Sequence, residues 1–577
     1  MVSQDGRAAP SASSTNAANA VTPAADVRPR QANSAAAAAR SVPTENPKRR
    51  FEIVGAMLVI GSSIPAVRRL PVGLVTIAAM LFALGSRWMF RSRALFSWDS
   101  ANFALALERI DVAAARPHPP GYFGYVFAAR ALNLLVHDAN TALVTWNVVA
   151  TLVAVVVFAQ LAYETADHDR NAGTATAAVL MLVTSPLVWF YGEVAEIYVS
   201  ELMCALLVAY AAWRASRGSD RAMYWCVAAL AITAVFKVVT AAFLFPLALG
   251  AWTQVSPGCR RRTATLVCAS SLIAATVILV VQPSLPSSIW SLARSSRWFF
   301  RGDPANPLRM LNRNLRDTMV AVMTGLGIVN VAGLGVWVLT DRRPPGGMRG
   351  WFALLWCVPL LLVLTFVMIA KPGYILPGLP VAILIVAGFY ARLPAPLAMS
   401  LVALQAVTNI AHFALVTPYT EPDNSLLYRD KTMLARAASD FAGLTLSTAP
   451  TIARSDERVR ELLDFVSRSC PALDPVVVAD IEPVDWRRVM YYLRAANAVY
   501  VFNGKGTYIG TRTDFTTVPP EGVELRPTCP VMWLAPDFGL GGVQKPGGAA
   551  TRVPHLGWTT PPGIVGVSAA GVTWRAQ

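Results

Sequence analysis

The chain has 577 residues, of which 55% are hydrophobic and only 15% charged, against about 25% charged in a typical soluble domain. That surplus of apolar surface excludes a single soluble globule, a disordered protein and a disulfide-stapled secreted domain, and it leaves a polytopic membrane protein. The balance of 50 Lys and Arg over 34 Asp and Glu, a net +16, suits the basic loops that membrane proteins keep in the cytoplasm. Nucleic-acid binding is not expected, because no basic domain with interleaved aromatics stands apart from the apolar runs.

Residues 1–47 are mostly Ala, Ser, Pro, Asn and Thr. They cannot bury enough surface to offset their ordering entropy, so a disordered cytoplasmic tail is expected there. The first 30 residues lack the apolar stretch of a signal peptide. From about residue 51, apolar runs recur that approach the ~20 residues a helix needs to cross a ~30 Å hydrocarbon layer. Spans are predicted near 70–90, 141–163, 172–190, 195–213, 222–236, 239–253, 264–282, 319–340, 351–369, 374–391 and 395–417. The pieces 222–236 and 239–253 are short and meet at Lys237, so they also read as one broken span. Residues 51–67 either span or lie in the interface, since Arg68 and Arg69 follow at once.

With the tail inside, cytoplasmic loops hold Arg170, then Arg214, Arg217 and Arg221, then Arg260 to Arg262, then Arg342, Arg343 and Arg349. That pattern agrees with about 11 spans, whereas a twelfth at 51–67 would reverse every later loop. The fold class expected is an all-α polytopic membrane bundle over 48–420, followed by a small extracytoplasmic α/β domain over 421–577. In that domain the sequence predicts a helix near 454–468, a strand "DPVVVADI", a helix near 485–496 and a hairpin "AVYVFNGKGTYIGT" turning at Asn503-Gly504. Its two cysteines, Cys470 and Cys529, are either free thiols or an extracytoplasmic disulfide. Cys204, Cys226, Cys268 and Cys357 fall in spans and read as small apolar core residues. The seven cysteines form no CxxC pair and the five histidines never fall at ligand spacing, so neither a metal nor another cofactor is expected.

Two outward loops, 91–140 and 283–318, carry candidate chemistry. In "FSWDSANFALALERI", Asp99 follows the opening span, and the apolar spacing after it predicts a helix lying along the membrane surface. Asp99 either caps a helix beginning at Ser100 or, with His118 and Tyr122 of "RPHPPGYFGYVF" about 20 residues on, abstracts a proton from an acceptor hydroxyl. In "WFYGEVAEIYVSE", Glu193 and Glu196 are expected at a span junction on one helical face, with Glu201 deeper. Carboxylates at membrane depth are costly and point to function. Lys371 and Tyr374 of "KPGYILPGLP" open a late span, where the lysine either snorkels to headgroups or neutralises a phosphate. The second loop places Arg294, Arg297, Arg301, Arg309, Arg313 and Arg316 on the side that should be arginine-poor, which suits capture of a lipid phosphate or ordinary anionic lipid.

In this order, "WDSANF", "HPPGYF", "WFYGEVAEIYVSE" and "KPGYILPGLP" resemble the GT-C glycosyltransferases, in particular bacterial relatives of the protein O-mannosyltransferases, over residues 70–420. The resemblance implies a multi-span bundle whose first outward loop carries the catalytic Asp, here Asp99. It also implies a polyprenyl-phosphate sugar as donor, a protein, lipid or glycan acceptor, and inverting transfer on the non-cytoplasmic face. Lys371 with one or two of Arg294, Arg297 and Arg301 would then meet the leaving phosphate, His118 and Tyr122 would shape the sugar or acceptor pocket, and Glu193 and Glu196 would bind sugar hydroxyls or orient the loop. Related loops often carry a second acid shortly after the Asp, where this chain has Ser100 and Asn102. The Ala-rich, Arg-over-Lys composition suggests a high-GC bacterium and hence the inner membrane. Two other classes remain open at the level of sequence. A transporter or flippase of lipid-linked sugars would favour an internal repeat, and none is evident. A non-catalytic scaffold would not require Asp99, His118 and Lys371 to converge.

Overall fold

The structure is a computed structural model that describes residues 72–166, 170–281, 307–340, 348–366, 371–417 and 446–470, then 475–479, 484–494, 500–502, 508–511, 529–534, 551–553, 556–560, 568–569 and 572–573. The expected tail, the stretch 51–67, Arg294, Arg297, Arg301 and the Asn503-Gly504 turn lie outside the described residues.

In chain order the helices are α1 Val72–Phe90, α2 Trp98–Glu108, α3 Phe123–Val136, α4 Ala139–Thr165, α5 Asn171–Val183, α6 Pro186–Tyr191, α7 Tyr198–Ser216, α8 Asp220–Phe236, α9 Val238–Trp252, α10 Pro257–Val281, α11 Pro307–Leu326, α12 Ile328–Thr340, α13 Gly350–Phe366, α14 Leu379–Tyr390 and α15 Ala395–Leu415. Among the described residues, α1, α4 and α15 are each long and apolar enough to cross a membrane. Two bent pairs, α5 with α6 at 51° and α11 with α12 at 108°, bring the total to five if each is one span. The chain is therefore a multi-pass membrane protein, but its eleven apolar runs are not eleven unbroken spans. Pro186 interrupts one run, Lys237 separates two short ones, and the helices of 15 and 12 residues at α9 and α14 fall short of a straight crossing. The bend after α11 sits at Gly327, whose φ of +77° and whose closeness to the Asn409 and Gln405 side chains leave no room for a Cβ. Of the predicted arginine-rich loop, the part from Pro307 onward is the helix α11.

Lipid-facing and packed sides separate along α1. Leu74, Ile77, Leu81 and Leu84 are exposed at helical spacing, whereas Ala79 and Ala83 are buried against Val155, Ala159, Val179 and Val183. Small residues at that contact let the helix axes approach closely, which is the main means of helix association in lipid. Cys204 and Cys226 are buried as expected, Cys357 is half-buried, and Cys268 is a correction because it is exposed on α10.

The C-terminal elements are α16 Ala449–Ser469, β1 Val476–Ala479, α17 Trp486–Tyr492, β2 Tyr500–Phe502, β3 Tyr508–Thr511, β4 Val531–Leu534, β5 Thr551–Val553, β6 Gly557–Thr560 and the ribbon β7 Ser568–Ala569 with β8 Val572–Thr573. The main sheet has the order β3-β2-β1-β4-β6-β5, with β1 parallel to β2 and β4 and the outer pairs antiparallel. Val459, Leu462 and Val466 of α16 recur at helical spacing and pack on Val477, Ala479, Met532 and Leu534 of the sheet. Cys470 at the end of α16 is disulfide-bonded to Cys529 just before β4. The same core takes in Ala94 from the loop after α1, so the C-terminal elements and the loop that holds Asp99 pack as one body.

Candidate active site

The loop between α1 and α3 positions the first acid. Ser97 caps α2, accepting from the Ser100 backbone N–H in a reciprocal capping box with the Ser100 hydroxyl. Asp99 is therefore not the cap. It sits in the first turn of α2, where the helix N-terminus favours negative charge, and its carboxylate turns outward from the helix to Lys371. A second correction concerns α2 itself. Every residue from Ser100 to Leu107 is buried, so α2 is enclosed by protein and presents no free apolar face of the kind its spacing suggested. Arg130 closes its C-terminal end by donating to the Leu107 and Ala106 carbonyls at 2.8 Å each.

Lys371 precedes a 3-10 turn, Pro372–Ile375, that bends the chain into α14. Its ammonium donates to Asp99 Oδ2 at 2.6 Å and to Glu196 Oε1 and Oε2 at 2.7 and 2.9 Å. All three protons of Nζ are thus engaged by carboxylate oxygens. Glu196 Oε1 also accepts from the Ser97 hydroxyl. The side chains of Lys371 and Asp99 are 30% and 19% exposed, and that of Glu196 is 3% exposed. Two carboxylates around one ammonium leave a local charge of −1. Burial pushes the Asp99 carboxyl up, but the charge of Lys371, with its hydrogen bond, outweighs it and holds Asp99 at about 2. Burial prevails at Glu196 and raises it despite Lys371. For Lys371, attraction to the two carboxylates prevails over burial and raises it, keeping the amine protonated.

His118 and Tyr122 complete one wall. The His118 ring packs among Trp98, Phe103 and Tyr122 at centroid distances of 5.6, 5.8 and 4.8 Å. Its Nδ1 lies 3.7 Å from Asp99 Oδ1, beyond hydrogen-bond distance. Burial lowers the imidazole from its usual value and favours the neutral form.

The remaining sequence candidates divide. Glu193 and Glu196 do not share a helical face. They sit in the irregular turn between α6 and α7 and point apart, with Glu193 fully buried beside the Arg87 guanidinium. Arg87 in turn donates to the Val183 carbonyl at 2.6 Å and covers the Trp189 ring at 4.9 Å. Tyr374 lies in the 3-10 turn after Lys371, its ring 5.4 Å from that of Tyr198. The Tyr191 hydroxyl accepts from the Gly373 N–H at 3.1 Å. A Cβ at Gly373 would fall 2.5 Å from the Tyr198 ring, so only glycine admits this approach. Arg294, Arg297 and Arg301 are outside the described residues.

Deeper still is a group absent from the predicted site. Lys237, at the break between α8 and α9, donates to Glu201 Oε1 at 2.7 Å while the Thr240 hydroxyl donates to Glu201 Oε2 at 2.5 Å. The Lys237 ammonium also lies 4.3 and 5.2 Å from the Tyr374 and Tyr198 ring centroids. A lysine between two short apolar runs and a glutamate inside another run are the signals that could have paired them. Among the described residues, no group of three or more His, Cys, Asp or Glu side chains could hold a metal ion.

No family model matches the chain, and no curated protein matches it. Its fold is similar to that of ArnT from Cupriavidus metallidurans bound to undecaprenyl phosphate, with 15% identity over 74% of this chain and 86% of ArnT and a TM-score of 0.48. The apo state of ArnT gives 15% identity, 74% and 85% coverage and a TM-score of 0.46. The Archaeoglobus fulgidus oligosaccharyltransferase tethered to an acceptor peptide is similar at 12% identity, over 72% of this chain and 62% of its own, with a TM-score of 0.33.

Proposed function

We propose that this protein is a GT-C-type membrane glycosyltransferase that moves a sugar from a polyprenyl-phosphate donor to a hydroxyl acceptor on the non-cytoplasmic face. The observation that carries the reading is convergence: Asp99, Glu196 and Lys371, separated by up to 272 positions, meet through one ammonium, with His118 alongside. A scaffold has no need of such a cluster, and nothing in the geometry favours a transport path over it.

The chemistry follows from the residues. The acceptor oxygen attacks the anomeric carbon, and its proton passes to a carboxylate oxygen of Asp99. The bond from that carbon to the phosphate oxygen breaks, and its electron pair leaves with the lipid phosphate. Attack opposite the leaving group inverts the sugar. The developing charge on the phosphate needs a fixed cation, which is the part of Lys371, with Arg294, Arg297 or Arg301 as partners from the second outward loop. An incoming phosphate competes with Asp99 and Glu196 for the three protons of Lys371. Each contact that Lys371 gives up frees a carboxylate oxygen, so donor loading and exposure of the base are one event. His118 and Tyr122 wall the acceptor side, and Glu196 is the acid placed to meet sugar hydroxyls.

The test is transfer from radiolabelled polyprenyl-phosphate sugars in membranes carrying wild type or Asp99→Asn. The expected loss is about 10²–10⁴-fold in rate, the range of general-base catalysis, at unchanged expression. Equal transfer by both would remove Asp99 from the mechanism and turn attention to Glu196. No transfer by either across several donors would favour the transporter reading.

A further inference from the structure

The C-terminal elements hold the outward loop with an unusual choice of side chain. Arg487, in the first turn of α17, is fully buried, and a buried guanidinium is costly unless its donors are engaged. Two of its nitrogens reach the loop. Nε donates to Asn102 Oδ1 at 2.8 Å, and Nη2 donates to the Ala114 carbonyl at 2.8 Å and towards that of Ala115 at 3.5 Å. Asn102 stands one turn after Asp99 on α2. Ala114 and Ala115 belong to the turn closed by the Asp111–Arg116 bridge, which leads directly to His118. One side chain therefore joins the two limbs of the loop, the one with Asp99 and the one with His118.

The neighbours of Arg487 reinforce that grip. Asp485 caps α17, accepting from the Arg487 and Arg488 N–H groups at 3.1 and 3.0 Å. The Trp486 ring lies 6.1 Å from that of Trp98, the residue before Asp99. On α16, Asp456 accepts from the Ser92 hydroxyl and from the Arg93 and Ala94 N–H groups at 3.0, 2.7 and 2.9 Å. The Tyr492 hydroxyl accepts from the Leu95 N–H at 2.5 Å. Ordinary packing of a C-terminal region on a bundle needs apolar contact, not buried charge aimed at the backbone of one loop.

The geometry points to Arg487 as a positioning residue that sets Asp99 against His118, making the C-terminal elements part of the active-site frame and not an acceptor-binding appendage. This rests on the transferase reading above. The experiment uses full-length protein in membranes with Arg487→Met and Arg487→Lys, each in wild-type and Asp99→Asn backgrounds. Arg487→Met is expected to lower kcat by about 10–10²-fold, the scale of an ångström of misplacement, with donor KM within about twofold. Arg487→Lys, which keeps a donor, recovers part of that loss. In the Asp99→Asn background the methionine costs nothing further, because the group it positions is already gone. Equal losses in both backgrounds, or a change confined to acceptor KM, would overturn the proposal. Hydrogen exchange over 92–118 is read in the same proteins and does not depend on turnover. Faster exchange in Arg487→Met without an Asp99 effect on transfer would uphold the clasp and sink the transferase reading, while unchanged exchange would sink the clasp.

Discussion

Two lysine–carboxylate groups in this molecule differ in exposure: a lower one, in the sense of the less exposed, Lys237 with Glu201, and an upper, more exposed one, Lys371 with Asp99 and Glu196. The lower group is closed. Glu201 spends one oxygen on Lys237 and the other on Thr240, the Lys237 ammonium faces two tyrosine rings, and the side chains are 4% and 2% exposed. Charge is matched one to one, which suits a break in a membrane helix that must satisfy its own polar groups. The upper group is open. One ammonium serves two carboxylates, and Lys371 and Asp99 remain 30% and 19% exposed. The same residue types balance charge out of reach in one group and leave an excess acid partly exposed in the other, which is the arrangement the proposed transferase site would use.

The lower pair offers the sharpest way to break this comparison. Lys237→Met leaves Glu201 buried without its cation, and removing one partner of a buried pair costs about 3–5 kcal/mol. Thermal unfolding of the purified protein should show that loss, and Lys237→Met/Glu201→Gln should recover most of it. If the single variant is as stable as wild type but fails to turn over, the lower pair belongs to the chemistry and the distinction collapses.

Lys371→Met is the matched change in the upper group, and its expected signature is the reverse. Sugar transfer should fall about 10²–10³-fold, as when one donor to a developing anion is removed. The thermal midpoint should move less than for Lys237→Met, because this lysine is partly exposed and solvent screens its contacts. Transfer near wild type in this variant would take Lys371 out of the mechanism and leave the phosphate to the arginines of the second loop.

How far the site was legible depended on the reach of each contact. Asp99, His118, Glu196 and Lys371 stood out because each lies in a short string whose composition is odd for a membrane span. Their neighbours carried no such mark. The role of Ser97 as cap left Asp99 free, and only the reciprocal Ser97–Ser100 bonds reveal it. The pattern of α2 read as a surface helix because its cover, Arg487 on α17, arrives 385 positions after Asn102. Glu193 and Glu196 share a helical period, but the turn from Gly192 to Ile197 is not helical and sends them to different partners. In the C-terminal elements, α16, β1, α17 and the β2–β3 pair follow local patterns, whereas β4, β5 and β6, at three or four residues each, are fixed by pairing and not by periodicity.

The smallest expected effect is a pH dependence that divides the loop from the clasp. Asp99 is held at about 2, below an ordinary 3.8, chiefly because the charge of Lys371 outweighs burial. Its ionised form is favoured in the folded chain, so the stability it lends is complete above about pH 4 and is lost as pH falls towards 2. Asp456 has the opposite sign. Burial pushes it up to about 6 despite the Arg93 and Ala94 N–H groups, the Ser92 hydroxyl and the charge of Arg93 that face it. Between about pH 4 and 6 the folded chain keeps a proton there that the unfolded chain has lost, so stability from this group rises as pH falls through that window. The thermal midpoint of wild type should therefore gain on that of Asp456→Asn between pH 6.5 and 5, by about 1 °C per kcal/mol, since the shift shrinks as chain length raises the unfolding entropy. Asp99→Asn should leave that difference unchanged, and its own offset from wild type should narrow only below about pH 4. A wild-type slope that persists in Asp456→Asn would put the titrating group elsewhere, and a slope that vanishes in Asp99→Asn instead would mean that clasp and site titrate as one.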